Sequence, residues 1–385
     1  MSTKINVLQV IPKLSYGGAE TGCYDIAHYL AEKECGSFIV TAGGELLKFV
    51  KKEKVKIFRL PVHSKNPILV IFNALILSLF IIFYRINIVH ARSRAPAWSC
   101  LWASHLAGKK FVTTFHGTYN FSNKLKHFYN SVMVKSKLII AGSNFIFNHI
   151  QENYQKYLNT PKKKLMVIFR GINLEYFNKK HVEQIKVDQL LNQWRINKND
   201  FKILLPARLT KWKGHETFIE ALNILEDVYL KNNFHAIILG SDQGRSVYSK
   251  KLSSLVERYR LAKKITFIEN YREMPVAYKL VDVVVSTSIE PEAFGRVSVE
   301  AQAMEKMIIA SNIGGSKETI LNGKTGLLYK HDDPKDLAKT LNKSMEMNKN
   351  SLDLMGKEGR KNVEKKFNVD QMCQTTFTEY MKLLK

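Results

Sequence analysis

The sequence predicts an α/β protein built as two doubly wound parallel-sheet domains. Three observations carry that expectation. Short apolar, β-branched runs alternate with segments of helical period, as a sheet with crossover helices requires. The alternation is interrupted once, by the polar stretch 178–200, and then restarts. The length, 385 residues, is enough for two such domains, each with its own core.

The elements follow in order. Strand patterns fall at 4–11, 37–42, 56–62, 86–91, 110–115, 137–142 and 165–169. Helix patterns lie between them at 19–34, 67–84, 95–107, 124–134 and 144–157. After the polar stretch, read as the interdomain connection, strands recur at 202–206, 236–239, 265–268, 281–286, 307–310 and 326–329. The tail from residue 351 reads as two helices joined near Phe367-Asn368, the last crossing back onto the first domain. The expected domains are therefore 1–178, with helix 371–385 packed on it, and 179–370. The opening MSTKINVLQVI reads as a strand rather than a signal peptide.

The stretch around which the chain is organised is 286–304, STSIEPEAFGRVSVEAQAM. It follows an apolar run and places Glu292 and Phe294-Gly295 in the loop outside a strand's carboxyl end, where open α/β sheets bind ligands. Glu300 stands eight residues on, inside the following helix. A carboxylate on the loop and another on the helix can hold several hydroxyls, and the helix start between them offers unpaired N–H groups.

Other strand ends carry polar residues too. Gly17-Gly18 open the first helix, which suits either close approach to a phosphate or a tight turn. Arg92 and Arg94 fall on one side of a strand end and suit a carboxylate or phosphate, or ordinary surface. His116, followed by Gly117, sits past another strand; no Asp or Ser arrangement makes it the base of a covalent triad. Arg208 and Lys213 flank the start of a helix and can neutralise departing anionic oxygens. Gly240 borders the same edge, and Gly314-Gly315 form a turn that helix capping alone could explain.

The motif EPEAFGRVSVEAQAM resembles the signature of retaining glycosyltransferases of family 4 (glycosyl transferases group 1), which have the GT-B architecture: two Rossmann-like domains facing a central cleft. It is most similar to the branch that builds the lipopolysaccharide core in alphaproteobacteria. Arg208-x4-Lys213-Gly214 matches the family's R-x4-K-G loop, and the resemblance extends over nearly the whole chain. It implies Glu292 at the donor sugar and Glu300 at the ribose. Arg208 and Lys213 would lie at the diphosphate, with Gly17-Gly18 facing it and His116 close to the sugar. Gly240, Phe294 and Gly295 would border the nucleotide, and Arg92 and Arg94 the acceptor. The family usually carries Trp or Tyr where Val369 stands, a departure at the last helix junction.

The formal charge is +25, and residues 1–180 hold 26 Lys and Arg against 8 Asp and Glu. Such a bias suits polyanionic partners: nucleic acid, an anionic membrane face or a phosphorylated acceptor. Nucleic acid would require aromatic residues interleaved with the basic ones on an exposed face, and here the basic residues occupy helix faces and turns. Four scattered cysteines have neither CxxC nor metal spacing and read as reduced cytosolic thiols. Residues 68–83 have only Asn73 and Ser78 polar, but as a helix would span about 24 Å, short of a hydrocarbon core. They read as a buried or interface-lying helix.

The expectation is a cytoplasmic enzyme, peripheral at the inner face of the membrane. It would transfer a hexose, mannose by analogy with that branch, from a nucleotide-diphosphate sugar to a lipopolysaccharide core or another anionic glycolipid or saccharide. No D-x-D pair lies near a strand end, so neither metal nor other cofactor is expected. The alternatives are a sugar-nucleotide epimerase on the same fold and a basic scaffold without catalysis.

Overall fold

The computed structural model describes residues 4–119, 123–158, 163–244 and 246–385; the first three residues of the opening strand motif lie outside these. The chain divides into two compact units, Met1–Gly171 with Val369–Lys385, and Ile172–Asn368.

The first unit runs β1 (Asn6–Val10), α1 (Gly18–Glu32), β2 (Gly36–Thr41), β3 (Lys56–Arg59), α2 (Pro67–Phe83), β4 (Ile88–Ala91), α3 (Arg94–Leu106), β5 (Lys110–Phe115), α4 (Lys124–Asn130), β6 (Leu138–Ala141), α5 (Asn144–Leu158) and β7 (Lys164–Val167). Its strands pair in the order β3-β2-β1-β4-β5-β6-β7, all parallel. The order reverses between β1 and β4, so the loops leaving those two strands diverge and open a crevice at their carboxyl ends. Those loops carry Gly17-Gly18 and Arg92.

The second unit runs α6 (Gln184–Gln193), β8 (Phe201–Pro206), α7 (His215–Asp227), β9 (Phe234–Leu239), α8 (Ser246–Arg258), β10 (Ile265–Ile268), α9 (Met274–Leu280), β11 (Val283–Ser286), α10 (Arg296–Ala303), β12 (Met307–Ser311), the single turn α11 (Ser316–Thr319), β13 (Leu327–Tyr329), α12 (Pro334–Glu346) and α13 (Lys349–Lys366). Its parallel order, β10-β9-β8-β11-β12-β13, reverses between β8 and β11. The loops at that reversal hold Arg208 and Lys213 on one side and Glu292 on the other. Within 178–200, Gln184–Gln193 is helical and belongs to this unit, burying Val187 and Leu190.

The last helix, α14 (Val369–Leu384), is part of the first unit. It adds Met372, Cys373 and Tyr380 to a core formed with Val7, Ile88, Val112 and Ile140. The Tyr380 hydroxyl lies 2.6 Å from His90 Nδ1, and His90 Nε2 lies 2.7 Å from Thr114 Oγ1. This chain of bonds satisfies the polar atoms that the packing removes from water. In the second unit Phe218 and Leu222 of α7 and Leu337 and Leu341 of α12 share one core with Ile203 and Leu205 of β8 and Ala236 and Ile238 of β9.

Helix α2 begins with the Asn66 side chain accepting from the Ile68 N–H at 2.9 Å, and Pro67 in the first turn loses no bond there. Val70, Asn73, Ala74, Leu77 and Ile81, at helical spacing, are buried, and the helix packs on α3. The opposite face, with Ile71, Phe72, Leu75, Leu79 and Ile82, is exposed. Among the described residues no helix is long and apolar enough to cross a membrane.

Candidate active site

In the second unit two loops are laced together. Lys211–Lys213 form a short 3-10 turn, and Gly214 then takes a left-handed conformation (φ 68°) to start α7. A Cβ at Gly214 would stand 1.9 Å from the carbonyl oxygen of Thr287, so only glycine lets the loops meet there. Thr287 Oγ1 donates to the Lys213 carbonyl at 2.8 Å, and the Ile289 N–H donates to the Trp212 carbonyl at 2.9 Å.

That lacing brings Lys213 and Glu292 into contact. Nζ donates to Oε1 at 2.7 Å, with the side chains only 13% and 10% exposed. Ser288 Oγ donates to the same oxygen at 2.5 Å, and the ammonium also stands 4.2 Å from the centre of the Trp212 ring. Burial pushes the Glu292 pKa up, but the Lys213 charge and the hydrogen bonds of Lys213, Ser288 and Ser286 outweigh it and hold the carboxyl below its ordinary range. Glu292 is therefore an anion at neutral pH, with lone pairs left for a ligand's hydroxyls. Arg208, on the same loop, is exposed.

Gly314 and Gly315 do more than cap a helix. The Gly315 N–H donates to the Glu292 carbonyl at 2.7 Å, and a Cβ at Gly315 would stand 2.6 Å from Phe294 Cα. The pair is a saddle on which the glutamate loop rides. Phe294 is buried with its ring edge-on to Phe367, so it anchors the loop rather than offering a face. Gly240 likewise serves close approach, since a Cβ there would stand 2.2 Å from the Ala207 carbonyl oxygen. Gly295 caps α10, and Glu300 lies buried within that helix. Its Oε1 accepts from Arg296 Nε at 2.6 Å and its Oε2 from the Tyr278 hydroxyl at 2.7 Å. Burial first, and then the Glu300 charge, raise the Tyr278 pKa well above the ordinary phenol value, so that hydroxyl is a donor.

In the first unit His116 follows β5, and Arg170, three residues past β7, reaches it. Arg170 Nη2 lies 2.7 Å from His116 Nδ1 and 3.1 Å from the His116 carbonyl oxygen. A guanidinium can only donate, so Nδ1 must accept and the proton of the neutral ring sits on Nε2. Among the described residues Nε2 is buried without a hydrogen-bond partner. Burial, the nearby Arg170 and Arg92 charges and His90 all push the His116 pKa well below its ordinary value. The ring is a neutral donor rather than a base. Arg170 also lies against the first turn of α1, where a Cβ on Gly18 would stand 2.2 Å from Nη1.

The two strand-end arginines separate. Arg94 Nη1 donates to Asn130 Oδ1 at 2.9 Å, and its guanidinium stacks 4.2 Å from the centre of the Tyr119 ring. Arg92 is 3% exposed, with Nε unpartnered. Arg170, Ser288 and Tyr278 went unremarked in the sequence. Arg170 had a usable signal, a charged residue before glycine just past an apolar strand, as at His116-Gly117.

Two parallel-sheet Rossmann-like units, each with polar loops gathered at the reversal of its strand order, define the GT-B class. Two family models match the chain, "Glycosyltransferase Family 4" over residues 16–176 and "Glycosyl transferases group 1" over residues 186–362. A crystal structure of a glycosyltransferase from Rickettsia africae is 34% identical, with 100% of this chain and 99% of that one covered and a TM-score of 0.90. An uncharacterized glycosyltransferase of Methanocaldococcus jannaschii is 25% identical over 91% of each chain. Anabaena HepE, solved with UDP and glucose, is 20% identical with a TM-score of 0.82, covering 98% of this chain and all of that one. The chain belongs to the family 4, group 1 glycosyltransferases. The comparisons favour neither the epimerase nor the non-catalytic scaffold.

Lys213→Ala leaves the Glu292 carboxylate buried and unpaired, and is expected to lower unfolding stability by about 3 kcal/mol. Adding Glu292→Gln should recover most of that loss, because the second change removes the orphaned charge. The contribution of the pair is full at neutral pH and disappears as acid protonates Glu292, whose folded pKa lies below its unfolded one. Denaturant titration of the two single variants and the double variant reads the coupling; additive losses would mean that the contact carries no energy.

Proposed function

We propose that the enzyme transfers a hexose from a nucleoside-diphosphate sugar, with retention of configuration, to an anionic glycolipid or saccharide of the lipopolysaccharide-core type. The Lys213–Glu292 contact at the strand-order reversal carries this reading. It sets a cation suited to departing phosphate oxygens against a carboxylate suited to sugar hydroxyls. HepE, which shares the fold, binds UDP and glucose, and that supports a nucleotide-sugar donor.

Each chain group then has a task. Lys213 retains two N–H donors beyond the one given to Glu292, and with Arg208 it neutralises the leaving diphosphate, the charge work a divalent metal performs in other transferases. Gly240 and Gly295 border the nucleotide. Glu300, oriented by Arg296 and Tyr278, accepts from the ribose hydroxyls. His116 can give a hydrogen bond from Nε2–H to a substrate oxygen that reaches the first unit. The ring is no base toward the acceptor, so as the acceptor oxygen bonds to the anomeric carbon and the bond from that carbon to the phosphate breaks, the acceptor hydroxyl's proton passes to the leaving phosphate oxygen. Attack then comes from the face the phosphate leaves, and configuration is retained. Catalysis rests on orientation and preorganised charge. Incubation with UDP-, GDP- and ADP-hexoses identifies the donor, and NMR of the product anomer tests retention; an inverted product would overturn this mechanism.

The membrane is the proposed workplace. Between Glu53 and Glu152 there are thirteen Lys and Arg and no Asp or Glu, and this span includes the exposed apolar face of α2. Apolar side chains beside uncompensated cations suit an anionic lipid surface. Binding to anionic vesicles is expected to be reversible, to weaken with salt, and to fall at least tenfold when Leu75 and Leu79, both exposed, become Gln. Protein that stays in the pellet after carbonate extraction would speak for integral insertion instead.

The two glutamates are expected to separate by ligand. Each hydrogen bond to a charged carboxylate contributes about 1.5–3 kcal/mol. Glu300→Gln should weaken free nucleoside diphosphate as much as the full donor. Glu292→Gln should leave diphosphate binding near wild type and depress transfer. Calorimetric titration beside turnover reads the split, and two variants that bind and react like wild type would sink the assignment.

A further inference from the structure

Arg92 is a cation without a counterion. It is 97% removed from water, and among the described residues Nε has no hydrogen-bond partner. Among the described residues no carboxylate lies within ion-pair distance of it and no aromatic ring face meets it, whereas Arg94 has both an amide oxygen and the Tyr119 ring. Its field reaches His90, His116, Cys23 and Tyr380, every one neutral. A buried lysine or histidine escapes such a position by losing its proton; an arginine cannot. A permanent buried charge persists only where something compensates it.

The packing of α1 gives the guanidinium a neighbour. A Cβ on Gly22 would stand 3.0 Å from Arg92 Nη2, and one on Gly18 would stand 2.2 Å from Arg170 Nη1. Gly18 and Gly22 are four residues apart, on one face of the helix and about one turn from each other. The absence of side chains at these two positions is what makes room for two guanidinium groups, one behind the other, beneath the first two turns. His116 Nε2–H, which also lacks a protein partner, is held by the same Arg170. Glu20 folds its carboxylate back toward Gly17 at the start of the helix and forms an ion pair with neither arginine.

We propose that Arg92 and Arg170, seated one turn apart under α1, form a seat for a phosphate group carried by a substrate. Arg92 is the floor; the half-buried Arg170, His116 and Gly18 are the rim. A phosphate there neutralises the Arg92 charge, and its oxygens accept from both guanidinium forks. The proposal rests on the glycosyltransferase reading only in taking the phosphate to be a substrate's. The source is either the acceptor or the donor diphosphate, and the two are separable by experiment.

The test uses the full chain and inorganic phosphate as probe, read by thermal shift and calorimetry. Phosphate is expected to raise the Tm of wild type and of Lys213→Ala alike. Arg92→Met is expected to melt about 2 °C or more above wild type in phosphate-free buffer, because it replaces an uncompensated charge by an apolar chain. It should bind phosphate at least tenfold more weakly, as should Arg170→Gln. If UDP affinity is unchanged in Arg92→Met, the seat receives the acceptor's phosphate; a parallel tenfold loss of UDP assigns it to the donor. The proposal is overturned if phosphate does not stabilise wild type, if it stabilises Arg92→Met equally, or if Arg92→Met melts lower or does not fold, which would make the arginine structural. Sugar transfer by wild type is scored separately, so failure of the seat and failure of the enzymatic reading give different results.

Discussion

The constraint on which both units depend is that all their strands run one way. A parallel sheet sends every strand's carboxyl end to the same edge, and only where the strand order reverses do two neighbouring loops part. In the second unit that point lies between β8 and β11. The loop after β8 delivers a cation and the loop after β11 a carboxylate, and the pair closes at 2.7 Å. The surrounding details serve that closure. Gly214 removes the side chain that would strike Thr287, and Gly315 removes the one that would strike Phe294. Ser288 takes up part of the carboxylate's bonding capacity and keeps the rest directed. An ion pair this close to buried survives because its hydrogen bonds are already made, which is also what preorganises it for a transition state rich in phosphate charge.

Much of the fold was legible because buried parallel strands have a distinctive composition. Val283-Val284-Val285 can hardly be anything else, and the polar residues that end such runs mark the crevice. What escaped was information that resides in other elements. The polar stretch 178–200 conceals α6, which buries only Val187 and Leu190, too thin an apolar stripe to announce a helix. Residues 68–83 were legible as a helix, but a segment apolar on every side carries no amphipathic period, so its exposed face could not be told from its buried one.

The candidate residues of each unit divide in the same manner. Glu292, Lys213 and His116 stand at strand ends, where position alone marks them out. The groups that set their chemistry come from far along the chain. Arg170 selects the tautomer of His116 from fifty-four residues away, and Tyr278 orients Glu300 from the helix before β11. Arg92 and Arg94 looked equivalent by alternation. They differ because Tyr119 and Asn130 happen to fall beside one of them, a fact of tertiary packing that no local pattern encodes.

Seen together, the charges of the two units obey different rules. In the second unit the central cation is paired within the chain, so the fold is stable before any ligand arrives, and a donor has only to rearrange existing bonds. In the first unit Arg92 is buried and among the described residues its Nε has no partner, and between Glu53 and Glu152 there is no Asp or Glu that could supply one. Such a charge raises the free energy of the empty protein, and whatever anion binds there gains back the difference as affinity. A protein can keep a buried, unpaired arginine in a well-packed core only if the loss is tolerable when empty and useful when filled. The paired site makes for a stable scaffold. The unpaired one leaves a charge for a ligand to meet, and on the proposed reading a phosphate carried by a substrate supplies it.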